Sequence, residues 1–513
     1  MRPTVATWLA MRNVVVMVCL TVAALTAPAS SAFASAQAQS VGAGSAPKSE
    51  LNRPWHACLN SSEAECSRLR VPVNWSHPRG PTLRLALARL PATDPKHRIG
   101  SLLFNCGGPG CPTAQVIKKF QGSGFTDRLR ARFDIVGWDP RGIGKSKPLQ
   151  CGRPWFHSGA PVYPSTFQGY KQLVERNRAL ARSCRRWSGP LVNNVDARST
   201  VHDMEAIRKA LGGGGLNYLG LSYGTMLGAL YAQRYPHHVR ALALDGALDP
   251  SLSQPIMLAN EASAAEDVFD RWAAWCQGAP SCPLHGRDVT QVYDDLIAAA
   301  NRSPIPAPSV GQPGHRVSGE EIQYSTDANY LLFEHPTALF PGAPSWRDLG
   351  PAIVKARHGD ASYFATDAPG PPNDSQYGAI AVQCLDFSSQ VRSFADLRDY
   401  GILASGVAPH LGGASQTGEI ASQCAGWPRP KHQPRRTFRA RGAPPTLIVN
   451  ATHDPSTTYE WALSLHAQIK PSRLLTRVGN GHTSYTVSSC ARRFVDAYLI
   501  DRKLPPPGAT CSP

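Results

Sequence analysis

The chain has 513 residues, of which 42% are hydrophobic and 17% charged, and this composition excludes an intrinsically disordered protein. The length allows one large decorated domain or two ordinary ones, and 45 prolines and 44 glycines indicate many loops. The net charge is +17, yet basic residues cluster only at 431–436 in a stretch typical of a linker, so we expect no nucleic-acid partner. The charge predicts a solvated basic surface with weak electrostatic association with anionic polymers such as the cell wall.

Residues 1–36 have the pattern of a signal peptide. Two arginines precede an apolar run over 14–25, and the small residues that follow offer cleavage after Ala34 or Ala36. The run is too short to favour the alternative of an uncleaved membrane anchor. Cys19 is not preceded by a small residue, so we do not expect lipid anchoring. We predict a secreted, extracellular protein with no stable membrane insertion after signal removal.

Cysteine use agrees with export. Twelve cysteines follow Cys19, an even number suited to disulfides in an oxidising compartment, although spacing does not fix their connectivity. The alternative of a zinc site is weak, because the chain has neither a Cys-x-x-Cys pair nor a His-Glu-x-x-His run. Spacing suggests Cys58–Cys66, Cys276–Cys282 and Cys490–Cys511 as local pairs, Cys151–Cys184 and Cys384–Cys424 as longer ones, and Cys106–Cys111 as the remainder.

Strand and helix patterns alternate in the first half of the chain. Short continuous apolar runs predict buried strands, and one run that alternates apolar and polar residues, 83–89, predicts an edge or antiparallel strand. This alternation is typical of an α/β protein with a mostly parallel sheet covered on both faces. The predicted strands are 67–73, 83–89, 101–105, 133–139, 216–221 and 239–248.

Two segments before the fifth of these strands carry charged residues of structural interest. A helix is predicted over 200–211, with Asp203 as the partner of a capping box. The stretch 139–142 reads as a turn in which Arg141 pairs with a nearby carboxylate. The stretch 142–146 resembles a nucleotide-binding loop, but an aspartate stands where that motif requires its first glycine, so we do not expect nucleotide binding.

The pattern Gly220-x-Ser222-x-Gly224 lies between an apolar strand and a helical run of small residues. This context is that of a nucleophile elbow, in which a tight turn exposes the serine and small neighbours let strand and helix pass closely. A glycine-rich turn without chemistry is the alternative. The flanking strand and helix favour Ser222 as a nucleophile.

A second glycine-rich loop follows the buried strand 101–105. In the loop from Cys106 to Cys111, backbone N–H groups can converge on one point, which in a serine hydrolase is the oxyanion. We therefore predict an oxyanion hole formed by backbone N–H groups of Gly107 or Gly108 and of Tyr223. A plain turn is the alternative.

The alternation of strands and helices stops after residue 250. Residues 251–435, here called the cap segment, contain helical patterns and loops rich in proline and glycine, and no series of buried strands, so we interpret them as an inserted, mainly helical cap. The core is then built from 37–250 and 436–513. The helices expected in the cap segment are 262–274, 289–300 and 319–333, and the returning core contributes strands 446–450 and 473–478 and helices 461–468 and 492–499.

A serine nucleophile needs a base to remove its proton and a carboxylate to orient the base. In this class of fold the chain order is serine, acid, histidine. Asp454 follows the first strand after the cap segment, and His482 follows the last strand. We predict Ser222 as nucleophile, His482 as general base and then acid, and Asp454 as the orienting carboxylate. The weaker alternatives are Asp245 or Asp249 as the acid and His453 as the base.

These motifs resemble those of the secreted tripeptidyl aminopeptidase branch of the prolyl-aminopeptidase-like α/β-hydrolases. The resemblance rests on Gly107–Gly110, Trp138–Gly142, Gly220–Thr225 and Leu244–Gly246, and on the region from Cys424 to Cys511. It implies an α/β-hydrolase fold, removal of short peptides or single residues from a free N-terminus, and no metal or organic cofactor. Peptides with a free N-terminus are then the expected partners.

The sequence departs from that branch at two places. Cys106 and Cys111 replace the usual proline and glycine beside the oxyanion loop, and a disulfide between them would pin it. After Asp454 the usual order of a hydroxyl residue and proline is scrambled over 455–457, which makes transfer of the substrate less safe.

An aminopeptidase also needs carboxylates to pair with the ammonium group of its substrate. The cap segment offers several, among which the sequence does not choose: Glu261, Glu266, Glu320, Glu321, Glu334 and Asp386. The alternatives to an N-terminal peptidase are a carboxylic ester hydrolase with the same triad and a non-catalytic binding protein of the same fold.

Overall fold

The computed structural model describes residues 51, 54–120, 124–152, 161–309, 314–337, 342–365, 375–387, 389–428 and 438–512. The predicted signal peptide and the basic cluster at 431–436 lie outside these residues. None of the helices in these ranges combines the length and the apolar character that a membrane span requires.

Short strands form at or near the apolar runs of the sequence. The run Leu216–Leu221 is buried at every position, as a central strand of a parallel sheet requires. The strands are β1 (His56–Ala57), β2 (Glu65–Pro72), β3 (Thr82–Leu90), β4 (Gly100–Asn105), β5 (Phe133–Trp138), β6 (Leu216–Leu221), β7 (Val239–Asp245), β8 (Ile305–Pro306), β9 (Arg316–Val317), β10 (Thr446–His453), β11 (Ser472–Asn480) and β12 (Thr510–Cys511).

Ten strands of the described residues form one sheet in the order β1-β2-β3-β5-β4-β6-β7-β10-β11-β12, and β8 pairs with β9. Neighbours from β1 to β5 are antiparallel, and those from β5 to β12 are parallel. The predicted mostly parallel sheet is confirmed. The carboxyl ends of β4, β6, β7, β10 and β11 therefore lie along one edge, here called the carboxyl edge.

Helices connect the strands and fill the cap segment. The helices of the core before the cap segment are α1 (Thr113–Phe120), α2 (Asp127–Arg132), α3 (Phe167–Ser188), α4 (Ala197–Ala210) and α5 (Tyr223–Arg234). Those of the cap segment are α6 (Gln254–Gly278), α7 (Val289–Arg302), α8 (Gly319–Ser325), α9 (Trp346–Arg357), α10 (Gln376–Asp386), α11 (Phe394–Val407) and α12 (Gln416–Gln423). The last two are α13 (Tyr459–Gln468) and α14 (Ser489–Asp501).

Alternation along each strand divides the core between the two faces of the sheet. On β5, Val136 and Trp138 pack in the same cluster as residues of α4, α5 and α13. Phe133 and Ile135 pack with residues of α1, α2 and α14 on the opposite face. A separate cluster around Phe269, Trp272 and residues of α7, α9 and α11 forms the interior of the cap segment.

The structure corrects the predicted start of α4. The helix predicted over 200–211 begins three residues earlier, because the Asp196 side chain accepts a backbone N–H of its first turn and caps it. The prediction that Asp203 completes a capping box is wrong. Its buried carboxylate accepts hydrogen bonds from the guanidinium of Arg141, which is the carboxylate partner that the sequence left unidentified.

The cap segment is mainly helical, as predicted, with two differences in detail. The helix predicted over 319–333 ends at Ser325 and continues as one wider helical turn over Thr326–Tyr330. The short strands β8 and β9 form a hairpin-like pair there. The exact limits of core and cap segment stay a prediction.

The cysteines pair as their spacing suggested. The disulfides are Cys58–Cys66, Cys106–Cys111, Cys151–Cys184, Cys276–Cys282, Cys384–Cys424 and Cys490–Cys511. They occur in the core and in the cap segment, so the described chain is cross-linked throughout.

Candidate active site

Ser222 occupies the sharp turn between β6 and α5. Its backbone has φ +54° and ψ −126°, a conformation that costs a non-glycine residue about 1–3 kcal/mol. A Cβ on Gly220 would lie 2.6 Å from the Gly224 carbonyl oxygen, and one on Gly224 would lie 2.7 Å from Asn105 Oδ1. The two glycines of the motif are therefore required by close packing, and the turn presents Ser222 at the carboxyl edge.

Asp454 and His482 follow the ends of the adjacent parallel strands β10 and β11. The His482 Nδ1 atom lies 3.0 Å from each carboxylate oxygen of Asp454. The carboxylate is held in place by the N–H groups of Ser456 and Thr457, at 3.0 and 2.9 Å. The structure therefore brings the predicted base and acid into direct contact.

The electrostatics of this pair suit a general base. Burial opposes ionisation of Asp454, which is 1% exposed, but His482 and the surrounding N–H donors lower its pKa below the ordinary value. Burial disfavours the charged form of His482, and the Asp454 charge overcomes this and raises the pKa of the imidazole. A fixed carboxylate thus orients the ring and strengthens it as a proton acceptor.

The end of β7 links this pair to the nucleophile. The Ser222 N–H donates to the Asp245 carbonyl oxygen at 2.9 Å. The next residue, Gly246, lies so close to the histidine ring that a Cβ there would be 3.1 Å from His482 Cε1. The three predicted triad residues thus come from the ends of β6, β10 and β11 on the same edge of the sheet.

The alternative acids and base have other partners. The Asp245 carboxylate accepts the N–H groups of Ser484 and Tyr485, at 2.9 and 2.6 Å from Oδ2, and so holds the loop that follows His482. Asp249 accepts from Gln468 at 2.6 Å, and His453 contacts Asp267 at 2.6 Å. The contact with His482 therefore distinguishes Asp454 from the two alternative acids.

The glycine-rich loop after β4 lies against the nucleophile, but its two predicted donors are not equivalent. The Gly107 N–H already donates to Asn105 Oδ1 at 3.0 Å, and a Cβ on Gly107 would lie 2.8 Å from Ser222 Cβ. Gly108 lines the same cavity as Ser222. The structure therefore favours the N–H of Gly108, together with that of Tyr223 in the first turn of α5, as the oxyanion donors, and Gly107 provides room for the serine.

A cavity of about 720 Å³, including its open mouth, lies between Ser222 and the cap segment. Apolar side chains and amides dominate its wall, and two carboxylates, Glu261 and Asp386, contribute to it. The lining consists of Gly108, Pro109, Ser222, Leu248, Pro250, Leu252, Gln254, Met257, Glu261, Asp386, Phe387, Gln390, Gln416, Thr417, Ile420, Ser456, Thr457 and Trp461.

The other four carboxylates proposed for the substrate amine do not line this cavity. Three of them have a partner within or beside the cap segment, and the fourth has a partner at the end of β11. Glu266 accepts the His410 N–H, Glu320 accepts the Val162 N–H, Glu321 faces His315 and Glu334 accepts from Asn480.

Two acidic residues near Glu261 were missed by sequence reasoning. Burial raises the pKa of Glu419 to about 7. Burial, and then the charges of Glu261 and Glu419, raise the pKa of Asp327 well above its ordinary value. The three residues lie on α6, on the turn after α8 and on α12, so no local pattern could have shown that they share one region.

The fold and the site define a serine hydrolase of the α/β-hydrolase class. Two protein-family models match the chain. The model described as "alpha/beta hydrolase fold" covers residues 100–298, and the one described as "TAP-like protein" covers residues 410–511, which include Asp454 and His482.

Curated relatives support the assignment to the serine hydrolases. "Serine protease Hip1" of Mycobacterium tuberculosis is 32% identical over 90% of this chain and 92% of its own length. "Tripeptidyl aminopeptidase" of Streptomyces lividans is 30% identical over 88% of this chain and 84% of its own. "Carboxylesterase B" of Mycobacterium tuberculosis is 30% identical over 92% and 93%. The chain belongs to the tripeptidyl aminopeptidase branch of the α/β-hydrolase family.

Proposed function

We propose that the protein is an exported serine peptidase that removes short peptides or single residues from peptide N-termini through an acyl-enzyme on Ser222. Relatives named as a serine protease and as a tripeptidyl aminopeptidase support the reaction class. The contacts around Ser222 and the cavity under the cap segment support the roles given below.

Ser222 is the nucleophile. His482 takes its hydroxyl proton as the oxygen attacks the carbonyl carbon, while Asp454 fixes the orientation of the ring. The N–H groups of Gly108 and Tyr223 stabilise the oxyanion. His482 then gives the proton to the leaving amine, and a water molecule cleaves the acyl-enzyme by the same route.

The observation that carries the peptidase proposal is a buried carboxylate in the same cavity as Ser222. Glu261 is 3% exposed, and burial, partly offset by hydrogen bonds from Thr417, raises its pKa to about 7. Among the cavity-lining residues that the structure describes there is no lysine or arginine. A substrate ammonium group is therefore the cation that would pair with Glu261, since a buried charge requires a partner.

The test compares a peptide with a free N-terminus and its N-acetylated form. Acetylation should lower kcat/KM by about 10–100-fold, the size of a lost hydrogen bond to a charged group. Glu261→Gln should lower kcat/KM for the free peptide to a similar extent and leave the acetylated peptide unaffected.

Glu320→Gln is the matched control, because Glu320 is a partly buried glutamate of the cap segment outside the cavity. It should leave the preference for a free N-terminus unchanged, and Ser222→Ala should abolish cleavage of both peptides. Equal cleavage of free and acetylated peptides by the unmodified protein would contradict the proposal.

A carboxylic ester hydrolase with the same triad is the second candidate. The relative named "Carboxylesterase B" and the apolar part of the cavity wall favour it. The apolar residues of that wall are Leu248, Pro250, Leu252, Met257, Phe387, Ile420 and Trp461.

The pH dependence of kcat/KM separates the two candidates. For a peptide amide, kcat/KM should rise through about pH 7, where Glu261 ionises. Loss of the proton from His482, whose pKa the Asp454 charge raises, contributes to the same rising limb. It should fall again near pH 8, because the substrate α-amino group, with a pKa of about 7.7–8.0, loses its charge. A short acyl ester without an amine should show the rising limb alone. Hydrolysis of esters without any cleavage of peptides would establish the second candidate instead.

Export is part of the proposal, and the six disulfides support it. N-terminal sequencing of protein from the culture medium should show a chain that begins after Ala34 or Ala36. Weak association with an anionic cell wall should appear as release by salt, given the net charge of +17. Recovery of the uncleaved chain from the cytoplasm alone would contradict export.

A further inference from the structure

The disulfide Cys106–Cys111 brackets the loop that carries the predicted oxyanion donor. It joins the residue after β4 to a residue just before α1, with a Cα–Cα distance of 5.9 Å. We propose that this disulfide positions the oxyanion hole, so that full activity requires its oxidised form. The inference rests on the serine-hydrolase chemistry proposed for Ser222 and not on the identity of the substrate.

The conformation of the loop explains why a covalent restraint matters. Gly107, Gly108 and Gly110 have φ values of +92°, +102° and +110°, and glycine loses more conformational freedom on ordering than any other residue. Across the loop, the Cys111 N–H reaches the Gly107 carbonyl oxygen at 3.4 Å, which is long for such a bond. The disulfide is therefore the stronger of these two links across a loop that contains three glycines.

The loop also contacts both the core next to the nucleophile and the cap segment. A Cβ on Gly107 would lie 2.7 Å from the Leu221 carbonyl oxygen, next to the nucleophile, and one on Gly110 would lie 2.7 Å from Ala379 Cβ on α10 of the cap segment. Movement of the loop in either direction would change the position of the Gly108 N–H. An oxyanion donor is effective only within about 2.7–3.1 Å of the developing charge.

Opening the disulfide requires a reductant. A dithiol gives two electrons and two protons to the bond, the S–S bond breaks, two cysteine thiols form, and the dithiol closes to its own disulfide. Cys111 is partly exposed and Cys106 is buried, so Cys111 is the accessible sulfur for attack. The chain should consequently have low activity in a reducing compartment and gain activity on oxidation.

The first experiment removes the bond by the double substitution Cys106→Ser and Cys111→Ser. The matched control, Cys58→Ser with Cys66→Ser, removes another short-range disulfide, with a separation of 8 residues, which joins the residue after β1 to β2 at the β1 edge of the sheet. We expect kcat, and the rate at which a fluorophosphonate labels Ser222, to fall about 100-fold in the first variant. The KM should stay within about threefold, and the control should keep both rates within about twofold.

A second measurement covers the case in which the variant does not fold. The unmodified protein is titrated with dithiothreitol, and alkylation with mass spectrometry reports which cysteines become free. The labelling rate of Ser222 should fall in proportion to the opening of Cys106–Cys111. An unchanged kcat in a folded Cys106→Ser/Cys111→Ser variant, an equal loss in the control, or labelling that is insensitive to opening of this bond would overturn the inference.

The outcomes also separate this inference from the proposed function. Protein that is labelled in a manner dependent on Cys106–Cys111 but cleaves no peptide would overturn the peptidase proposal and support the inference. Oxidised, folded protein that is not labelled at Ser222 at all would overturn both.

Discussion

Tyr223 connects the oxyanion site to the cap segment through its side chain. Its N–H lies at the start of α5, and its hydroxyl donates to Asp386 Oδ2 at 2.6 Å. Asp386 also accepts the Ala197 N–H at 3.0 Å. Burial, followed by the charge of Asp196, raises the pKa of Asp386 to about 7. One residue of the cap segment is thus bonded to the neighbour of the nucleophile and to the start of α4.

We predict that Tyr223→Phe destabilises the protein in a pH-dependent way. At pH 8 Asp386 is ionised and loses a charge-assisted hydrogen bond, so the free energy of unfolding should fall by about 1–3 kcal/mol. At pH 5 the carboxyl group is protonated, and the free energy of unfolding should fall by less. Urea unfolding at both pH values measures this difference.

Tyr218→Phe is the control for this prediction. The buried Tyr218 hydroxyl donates to the Gly224 carbonyl oxygen at 2.8 Å, an acceptor that does not titrate. Tyr218→Phe should therefore lower the free energy of unfolding by the same amount at pH 5 and pH 8. Equal losses at the two pH values for Tyr223→Phe would show that the Asp386 charge is not involved.

At the level of elements, the sequence predicted the features that depend on local pattern. Apolar runs located β4, β5, β6, β10 and β11, and the motif around Ser222 fixed the turn between β6 and α5. The residues Asp454 and His482 could be predicted because each directly follows such a strand, and parallel strands end at a common edge.

Features that depend on packing between distant segments could not be predicted from the sequence. Asp203 resembled a helix cap because of its position near the start of α4, but its partner Arg141 lies 62 residues earlier in the chain. In the same way, Glu261 and Asp386 could not be separated from the other four acidic residues, because the cavity that they line forms only when α6, α10 and α12 come together. The engagement of the Gly107 N–H by Asn105 also follows from the three-dimensional shape of the loop.

The Arg141–Asp203 pair joins several elements and gives a prediction at this scale. The buried guanidinium donates to both Asp203 oxygens and to the carbonyl oxygens of Pro72, Val73 and Asn194. Asp203→Asn would leave a buried cation without its counter-charge, so the free energy of unfolding should fall by about 3–5 kcal/mol.

Urea denaturation of the Asp203→Asn variant checks this value. Asp399→Asn is the control, because it removes the partner of Arg398 in an exposed ion pair at 3.1 Å, and it should change stability by at most about 1 kcal/mol. Similar small changes in both variants would mean that the buried pair does not hold β2, β5 and α4 together.

Considered as a whole, the part of the molecule that the structure describes contains several acidic groups whose pKa is raised by burial in the core or the cap segment. Burial raises the pKa of Glu261, Asp386 and Glu419 to about 7 and that of Asp245 to about 6. In the unfolded chain these groups titrate near pH 4. Between pH 4 and pH 7 the folded state therefore binds more protons than the unfolded state at these four positions.

Fewer groups have a pKa that folding lowers, and these groups make the folded state less stable as the pH falls. Burial, with nearby arginines, lowers the pKa of His202 to about 4, so its contribution to stability is present above about pH 6.5 and is lost as the pH falls towards 4. Burial disfavours ionisation of Glu205, but Arg208 and Tyr231 lower its pKa to about 2, so its contribution is lost only in stronger acid. Burial also lowers the pKa of His466. In the range from pH 5 to pH 7 the four carboxyl groups outweigh these two histidines.

We therefore predict that stability falls from pH 5 to pH 7.5. A group whose pKa is raised in the folded state contributes stability that is fully present below its pKa in the unfolded chain. This stability is lost as the pH rises through the pKa of the folded state, at about 1.4 kcal/mol per pH unit for each proton. Urea midpoints at pH 5, 6 and 7.5 measure the slope. Glu419→Gln should reduce it by removing one of these protons, and Glu460→Gln, at an exposed position of α13, should leave it unchanged. A midpoint that is highest at pH 7.5 would mean that these carboxyl groups are ionised in the folded protein at mildly acidic pH and that basic groups compensate their charge.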